Sequence, residues 1–371
     1  SEPAVLVGLI ALIGLIAQKK PVTECIKGTV KTIMGFVILG AGAGLVVSSL
    51  GDFANIFQHA FGIQGVVPNN EAIVSVAQKS FGKEMAMIMF FAMVINIMIA
   101  RFTPWKFIFL TGHHTLFMSM MVAVILATAG MTGVTLIAVG SLVVGVAMVF
   151  FPAIAHPYMK KVTGSDDVAI GHFSTLSYVL AGFIGSKFGN KEHSTEDMNV
   201  PKSLLFLRDT PVAISFTMSI IFLVTCLFAG ADAVKELSGG KNWFMFSIMQ
   251  SITFAAGVYI ILQGVRMVIA EIVPAFKGIS DKLVPNARPA LDCPVVFPYA
   301  PNAVLVGFLS SFAAGLIGMF TLYLLNMIVI IPGVVPHFFV GAAAGVFGNA
   351  TGGRRGAILG AFAQGLLITF L

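Results

Sequence analysis

The chain has 371 residues, 57% of them hydrophobic and 10% charged, with a mean hydropathy of +0.96 and a formal net charge of +6. Soluble domains carry roughly 25% charged residues, so this composition excludes one and predicts an all-α polytopic membrane protein. The excess of lysine and arginine is spread over short connections, which excludes the concentrated basic surface of a nucleic-acid-binding protein.

The first apolar run, Ala4 to Ala17, is followed by Gln18, Lys19 and Lys20 and reads as a first membrane segment, not a cleavable leader. Lysines between Gln18 and Lys31 place that connection in the cytoplasm under the positive-inside rule, and hence the N-terminus outside. Windows near the ~20 residues of a spanning helix recur at Val30 to Leu50, Met85 to Ala100, Phe117 to Leu136, Ala138 to Ile154, Val212 to Ala231, Phe244 to Gln263 and Ala303 to Ile331. Ala4 to Ala17 and Val335 to Val346 are shorter and read as tilted spans or re-entrant hairpins. Gly35, Gly40, Gly42 and Gly44 punctuate the second segment, and such small residues serve either plain helix packing or a moving interface. Asp52 to Glu84 lacks the apolar density to span and reads as an amphipathic surface helix or a partly buried hairpin.

The two halves of the chain carry matching interruptions. Gly35 to Ala60 and Val258 to Leu283 align without gaps, with Ile38, Leu39 and Phe53 opposite Ile261, Leu262 and Phe276. Val67-Pro68-Asn69 then matches Val284-Pro285-Asn286, and Asn96 and Pro104 face Asn326 and Pro336. Polar breaks in the same order predict one transmembrane unit, 1–371, duplicated as halves 21–160 and 210–371 with its site between them. The polar connection 185–210 is either a solvated loop with a short interfacial helix or a docking surface for a cytoplasmic partner.

Candidate chemistry sits in the breaks. His113 and His114 follow Thr111-Gly112, and His172 follows Gly171, beside apolar runs where an ionisable group is costly. Each such histidine is read either as a satisfied structural group or as a ligand contact. Arg266 to Asn302 carries six prolines from Pro274 to Pro301 between apolar segments, which predicts a broken, buried element of the kind that holds substrate in transporters. Within it Asp292, between proline breaks, is the preferred acceptor for substrate hydroxyls, with Glu71 its counterpart in the first half; a salt bridge or helix cap is the competing reading of both. Cys25, Cys226 and Cys293 are widely spaced without a CxxC, so neither disulfides nor a metal site is indicated. Walker A, GxSxG and HExxH motifs are absent, so no cofactor and no covalent catalysis by this chain is expected.

Several blocks resemble a known family: CIKGTVKTIMGF, FLTGHH, AIGH, QGVRMVIAEIVPAFKGISDKLVP, ALDCPVVFPYAPNAVLVGF, IPGVVPHFF and GVFGNATGGRRGA. From Pro21 onward the chain resembles the ascorbate-type membrane subunit, enzyme IIC, of the bacterial phosphoenolpyruvate-dependent phosphotransferase system. The resemblance implies an inverted-repeat transporter with re-entrant hairpins in the bacterial inner membrane. It implies a homodimer in which a core domain carries the substrate past a dimerisation (scaffold) domain, by elevator-like alternating access. It also implies that cytoplasmic enzyme IIB, supplied by enzyme IIA, phosphorylates the arriving L-ascorbate or related sugar acid or polyol. By motif, His113, His172 and Asp292 are similar to residues that contact the sugar acid. Phe117 and Phe173 stand where glutamines are expected, and Glu71 where a tyrosine is, so the polar contacts that favour ascorbate are fewer here. Relatives continue through further membrane segments beyond the apolar run that ends at Leu371.

The expected function is therefore a phosphotransferase-system permease, itself a transport subunit and not an enzyme. The rival reading is an ion-coupled secondary transporter of a carboxylate or polyol, in which Glu71, Asp292 and the histidines bind coupling ions or protons.

Overall fold

The computed structural model describes residues 3–62, 65–66, 68, 70–199, 203, 206–207 and 209–370, with some side chains inside helices, Glu71 among them, outside that description. Among the described residues seven helices are long and apolar enough to cross a membrane: Val22–Phe61, Ser80–Phe102, Gly133–Thr163, Pro211–Ala229, Trp243–Ile261, Pro301–Leu324 and Val334–Phe370. This is the all-α polytopic architecture that the composition predicts, because helices satisfy their own backbone in lipid.

In chain order the helices are α1 (Pro3–Ala17), α2 (Val22–Phe61), α3 (Asn70–Phe102), α4 (Gly112–Thr128), α5 (Gly133–Thr163), α6 (Thr175–Phe188), α7 (Thr210–Ala229), α8 (Ala231–Leu237), α9 (Trp243–Leu283), α10 (Pro301–Leu324) and α11 (Val334–Phe370). Among the described residues five short strands lie between them: β1 (Gly65–Val66), β2 (Phe107–Phe109), β3 (Ala169–Ile170), β4 (Arg288–Leu291) and β5 (Val329–Ile330). Local chemistry fixes many of the ends. Asp209 accepts the Val212 N–H at 3.1 Å and so caps α7, which begins with a proline. Gly164 ends α5 in the left-handed region that L side chains avoid.

Four segments differ from the sequence expectation. The apolar window from Phe117 to Leu136 is not one span: α4 ends at Thr128, and a turn with Gly130 and Gly133 at positive φ leads into α5. Among the described residues of Asp52 to Glu84 there is no separate surface helix, since α2 runs to Phe61 and α3 starts at Asn70, with β1 paired in parallel to β5. Val335 to Val346 lies in the first of the two helical halves of α11, a half longer than that window; the helix breaks at Gly352 and Gly353, so that His337 before the break and Gln364 after it both reach Ser311 of α10. The break expected around Pro274 begins later, because α9 continues to Leu283 and the connection 284–300 to α10 consists of β4 and a 3-10 stretch, Cys293–Tyr299. One proline removes one helical hydrogen bond and need not end the helix.

The chain divides into two compact units. The first comprises Ser1–Ala41, Asn70–Leu176 and Ile260–Val295. In it α3 packs on α4 and α5, and a three-stranded parallel sheet of order β2-β4-β3 packs on α5. Phe107, Ala169 and Ala290, one residue per strand, form a buried cluster with Ala153 of α5 against it. A sheet edge among apolar helices must still satisfy its amides, and buried Asn96 of α3 does so for β2: its Nδ2 donates to the Phe107 carbonyl and its Oδ1 accepts the Phe109 N–H, both at 3.0 Å.

The second unit comprises Gly42–Asn69, Ser177–Tyr259 and Val296–Leu371, and its main packing is α10 on α11. Glycines carry that seam: a Cβ on Gly307 would run into the Gly341 carbonyl and the Gly345 backbone. The 190–197 loop is stitched into the interruption of α11, where Gly353 has φ 59° and ψ −152°. Asn190 N–H donates to the Gly352 carbonyl at 2.8 Å, and Arg354 N–H to the His193 carbonyl at 2.7 Å. Glu196 of the same loop accepts N–H bonds from Asn302 and Ala303 at 2.9 and 3.0 Å, capping the first turn of α10. Among its described residues the hydrophilic run from Gly185 holds a 3-10 turn, Thr195–Asp197.

Candidate functional site

All three strands of the first unit's sheet run in the same direction, so their carboxyl ends lie together. Register pairs Phe109 with Ala290 and Ile170 with Leu291. His113 follows β2 by four residues, His172 follows β3 by two, and Asp292 is the residue after β4. Parallel pairing therefore delivers to one place three side chains that are far apart in sequence. The N–H of Leu110 donates to the Ala290 carbonyl at 2.9 Å and that of Gly171 to the Leu291 carbonyl at 2.7 Å, extending the ladder to the edge of the site. Gly171 is needed there, because a Cβ would lie 2.6 Å from the Ala290 carbonyl oxygen.

Asp292 is the centre of the arrangement. His113 Nε2 is 3.3 Å from its Oδ2, and His114 Nε2 and His172 Nε2 are 3.8 and 4.0 Å from its Oδ1. The Cys293 N–H donates to Oδ1 at 2.7 Å and fixes the carboxylate. Burial pushes that carboxyl up, but the charge and hydrogen bond of His113, with His114 and the Cys293 N–H, outweigh burial and hold it down at about 2. It is an anion at neutral pH. His172 is 3% exposed at its side chain against 31% for Asp292, so it forms the floor of the site and the carboxylate its mouth. Its Nδ1 accepts the Ser174 N–H at 3.0 Å, which leaves the ring proton on Nε2, facing Asp292. Burial, then the nearby His113, pushes His172 down to about 3, which keeps it neutral.

The two phenylalanines wall the histidines. Phe117 meets the His113 ring edge-on at 6.1 Å between centroids, while Phe173 lies among Phe109, His114 and Phe151 at 5.1, 6.3 and 5.9 Å. Of the residues singled out in the sequence, His113, His172 and Asp292 converge, Phe117 and Phe173 flank them, and the side chain of Glu71 lies outside the described residues. His114, on the first turn of α4 with His113, belongs to the same cluster: its ring centroid is 3.8 Å from that of His172. Its signal in the sequence was the doubled histidine itself.

A second group supports the far end of β4. Arg288 Nη2 is 2.6 Å from Asp166 Oδ2, and Arg288 Nε donates to the Asp166 carbonyl at 2.9 Å. His156 Nε2 and Lys160 Nζ approach the other carboxylate oxygen at 2.5 and 2.7 Å. Lys160, His156 and Arg288 together hold the exposed Asp166 carboxyl well below the usual carboxylate range. The strand is thus tied at its start by an ion cluster and carries Asp292 at its end.

An anchored carboxylate, a buried neutral N–H donor and two further imidazoles, gathered at one accessible mouth, suit a small polar ligand held by several hydrogen bonds. Fold and site together define a multi-pass membrane protein with a ligand-type cluster in a break between helices. The chain belongs to the EIIC-GAT family, the sugar-specific permease component of the PTS system, whose profile matches residues 1–371. In bacteria such a permease resides in the cytoplasmic membrane. A protein of Mycoplasma pneumoniae described as an ascorbate-specific PTS system EIIC component is 27% identical over 418 aligned residues, covering 96% of this chain and 62% of that protein. The chain therefore spans less than two thirds of the length of that relative.

Proposed function

We propose that this chain is the membrane-translocating part of a phosphotransferase-system permease for L-ascorbate or a related sugar acid or polyol, and that His113, His114, His172 and Asp292 bind the substrate. The observation that carries this reading is the convergence of those four side chains at the carboxyl ends of β2, β3 and β4, at separations of 3.3 to 4.0 Å from the Asp292 oxygens. Substrate hydroxyls donate to Asp292 and accept from the Nε2–H of His172, while Phe117 and Phe173 pack against the histidines. Glu71 is a further candidate contact.

In this reading the chain performs no phosphoryl transfer. A cytoplasmic enzyme IIB, fed by enzyme IIA, phosphorylates the substrate on arrival. Transport proceeds by elevator-like movement of a core domain within a homodimer whose protomers contain an inverted repeat with re-entrant hairpins, the halves being 21–160 and 210–371. The name and 27% identity of the Mycoplasma pneumoniae relative support ascorbate as the leading substrate.

Uptake of radiolabelled L-ascorbate into membrane vesicles, with and without enzyme IIB, enzyme IIA and phosphoenolpyruvate, tests the reading. Phosphorylated ascorbate should accumulate only when all components are present. Accumulation of unmodified substrate driven by an ion gradient alone would refute it and favour a secondary transporter.

A further inference from the structure

We propose that His113, His114 and Asp292 also form a binding site for a divalent transition-metal ion of the zinc class, and that the bound ion excludes the organic substrate. The second part rests on the reading of this cluster as the substrate site; the first does not. One ligand atom from each of the three residues lies within 4.8 Å of the other two. His113 Nε2 and His114 Nε2 face opposite oxygens of one carboxylate, at 3.3 and 3.8 Å. Zinc bonds to imidazole nitrogen and carboxylate oxygen are about 2.0–2.2 Å long with tetrahedral geometry, which sets neighbouring ligand atoms ~3.2–3.6 Å apart. From a spread of up to 4.8 Å, side-chain rotations that move these atoms by about an ångström reach that geometry.

The donor set also selects the ion. Two imidazoles and one carboxylate suit zinc, nickel or copper, whereas magnesium and calcium require mostly oxygen ligands. His172 stays out of the ligand set, because its Nδ1 is engaged by the Ser174 N–H and its Nε2 carries the proton. It stands instead as an outer group whose Nε2 lies 4.0 Å from the Asp292 carboxylate, the position from which outer groups orient carboxylate ligands in metal sites. Cys293 forms a second possible group with His172 and Asp292, but it is buried and shares the same carboxylate, so only one of the two sets can be filled. The side chains of His113, His114 and Asp292 are all partly accessible, which gives an ion a path of entry. Cysteine spacing gave no hint of this site, since none of its ligands is a cysteine.

The test uses the full chain, purified in detergent and stripped with EDTA. Titration with zinc chloride, followed by calorimetry, should give one saturable site per chain, and cobalt(II) should give the visible spectrum of a low-coordinate ion. His113→Gln and His114→Gln should each weaken zinc binding at least tenfold, while Ser311→Ala, in the other unit, should leave it unchanged. Absence of saturable binding, retention of wild-type zinc affinity in both histidine variants, or loss of binding in Cys293→Ser would overturn the site. Zinc at ten times its dissociation constant should reduce apparent ascorbate affinity about tenfold by simple competition. Unchanged or tighter ascorbate binding at saturating zinc would overturn the exclusion. Failure of ascorbate binding in EDTA, with zinc binding intact, would instead sink the reading of the cluster as an ascorbate site and leave the metal site standing.

Discussion

Two histidine-centred polar groups sit among apolar helices in this chain, one in each compact unit, and they are built in opposite ways. In the second unit Ser311 of α10 donates to Gln364 Oε1 at 2.6 Å and meets His337 Nδ1 of α11 at 2.7 Å, with all three side chains buried. Both contacts are short hydrogen bonds between protein groups that tie α10 to α11, with the buried Gln364 Nε2 left outside the network. In the first unit the histidines stop 3.3 to 4.0 Å short of an accessible Asp292. There one accessible carboxylate is shared among three imidazoles, with His113 within hydrogen-bonding distance and His114 and His172 beyond it, so short contacts do not lock the group together. Burial of a histidine therefore says little about function in such a protein, whereas the distance to its partner says much.

The comparison breaks if the two groups respond alike to mutation. Asp292→Asn should cost the most, weakening ascorbate binding by about 2–4 kcal/mol, or ~30–1,000-fold, because it removes the charged acceptor at the centre of the site. Calorimetric titration reads this directly, and a melting temperature close to that of wild type shows that the fold has survived. Ser311→Ala should do the reverse, lowering stability by about 1–3 kcal/mol through unsatisfied His337 and Gln364 while leaving ascorbate affinity at the wild-type value. Thermal unfolding by tryptophan fluorescence, run beside the same titration, distinguishes the two patterns.

Smaller effects sharpen the account of how the site is held. Gly171→Ala places a Cβ against the Ala290 carbonyl, so strands β3 and β4 must separate. It should cost about 1–3 kcal/mol by overpacking and weaken binding with it, since His172 moves. Affinity unchanged in a destabilised variant would detach the strand geometry from the site. The smallest effect belongs to Asp166, an exposed carboxylate whose pairing with Lys160, His156 and Arg288 depresses its titration. A depressed carboxyl stabilises the fold fully above its ordinary value of 3.8 and loses that contribution as pH falls below it. The melting temperatures of wild type and Asp166→Asn should therefore differ slightly at neutral pH and draw together in acid. A gap that stays constant or widens below pH 3.8 would contradict the assignment.

Much of this was legible in the sequence because cost leaves a trace there. A proline-flanked carboxylate and two glycine-histidine pairs are expensive in an apolar chain, and Asp292, His113 and His172 do converge. The sheet that brings them together was not legible: strands of two to four residues are too short to show an alternating pattern. The glycine-histidine pattern singles out His113 and His172 but not His114, which follows a histidine, although His113 and His114 share the first turn of α4. The merged window from Phe117 to Leu136 failed because hydropathy is similar on both sides of the turn at Gly130–Gly133, and only backbone conformation separates α4 from α5. Asn96 drew attention as a mark of repetition; in the structure it completes the hydrogen bonding of β2.

The most direct test of the central claim is a cryo-electron microscopy map of the protein at saturating L-ascorbate. The account predicts ligand density at the carboxyl ends of β2, β3 and β4, within hydrogen-bonding distance of Asp292 and His172 and walled by Phe117 and Phe173. Well-ordered ascorbate bound elsewhere, with these side chains left free of ligand, would contradict it.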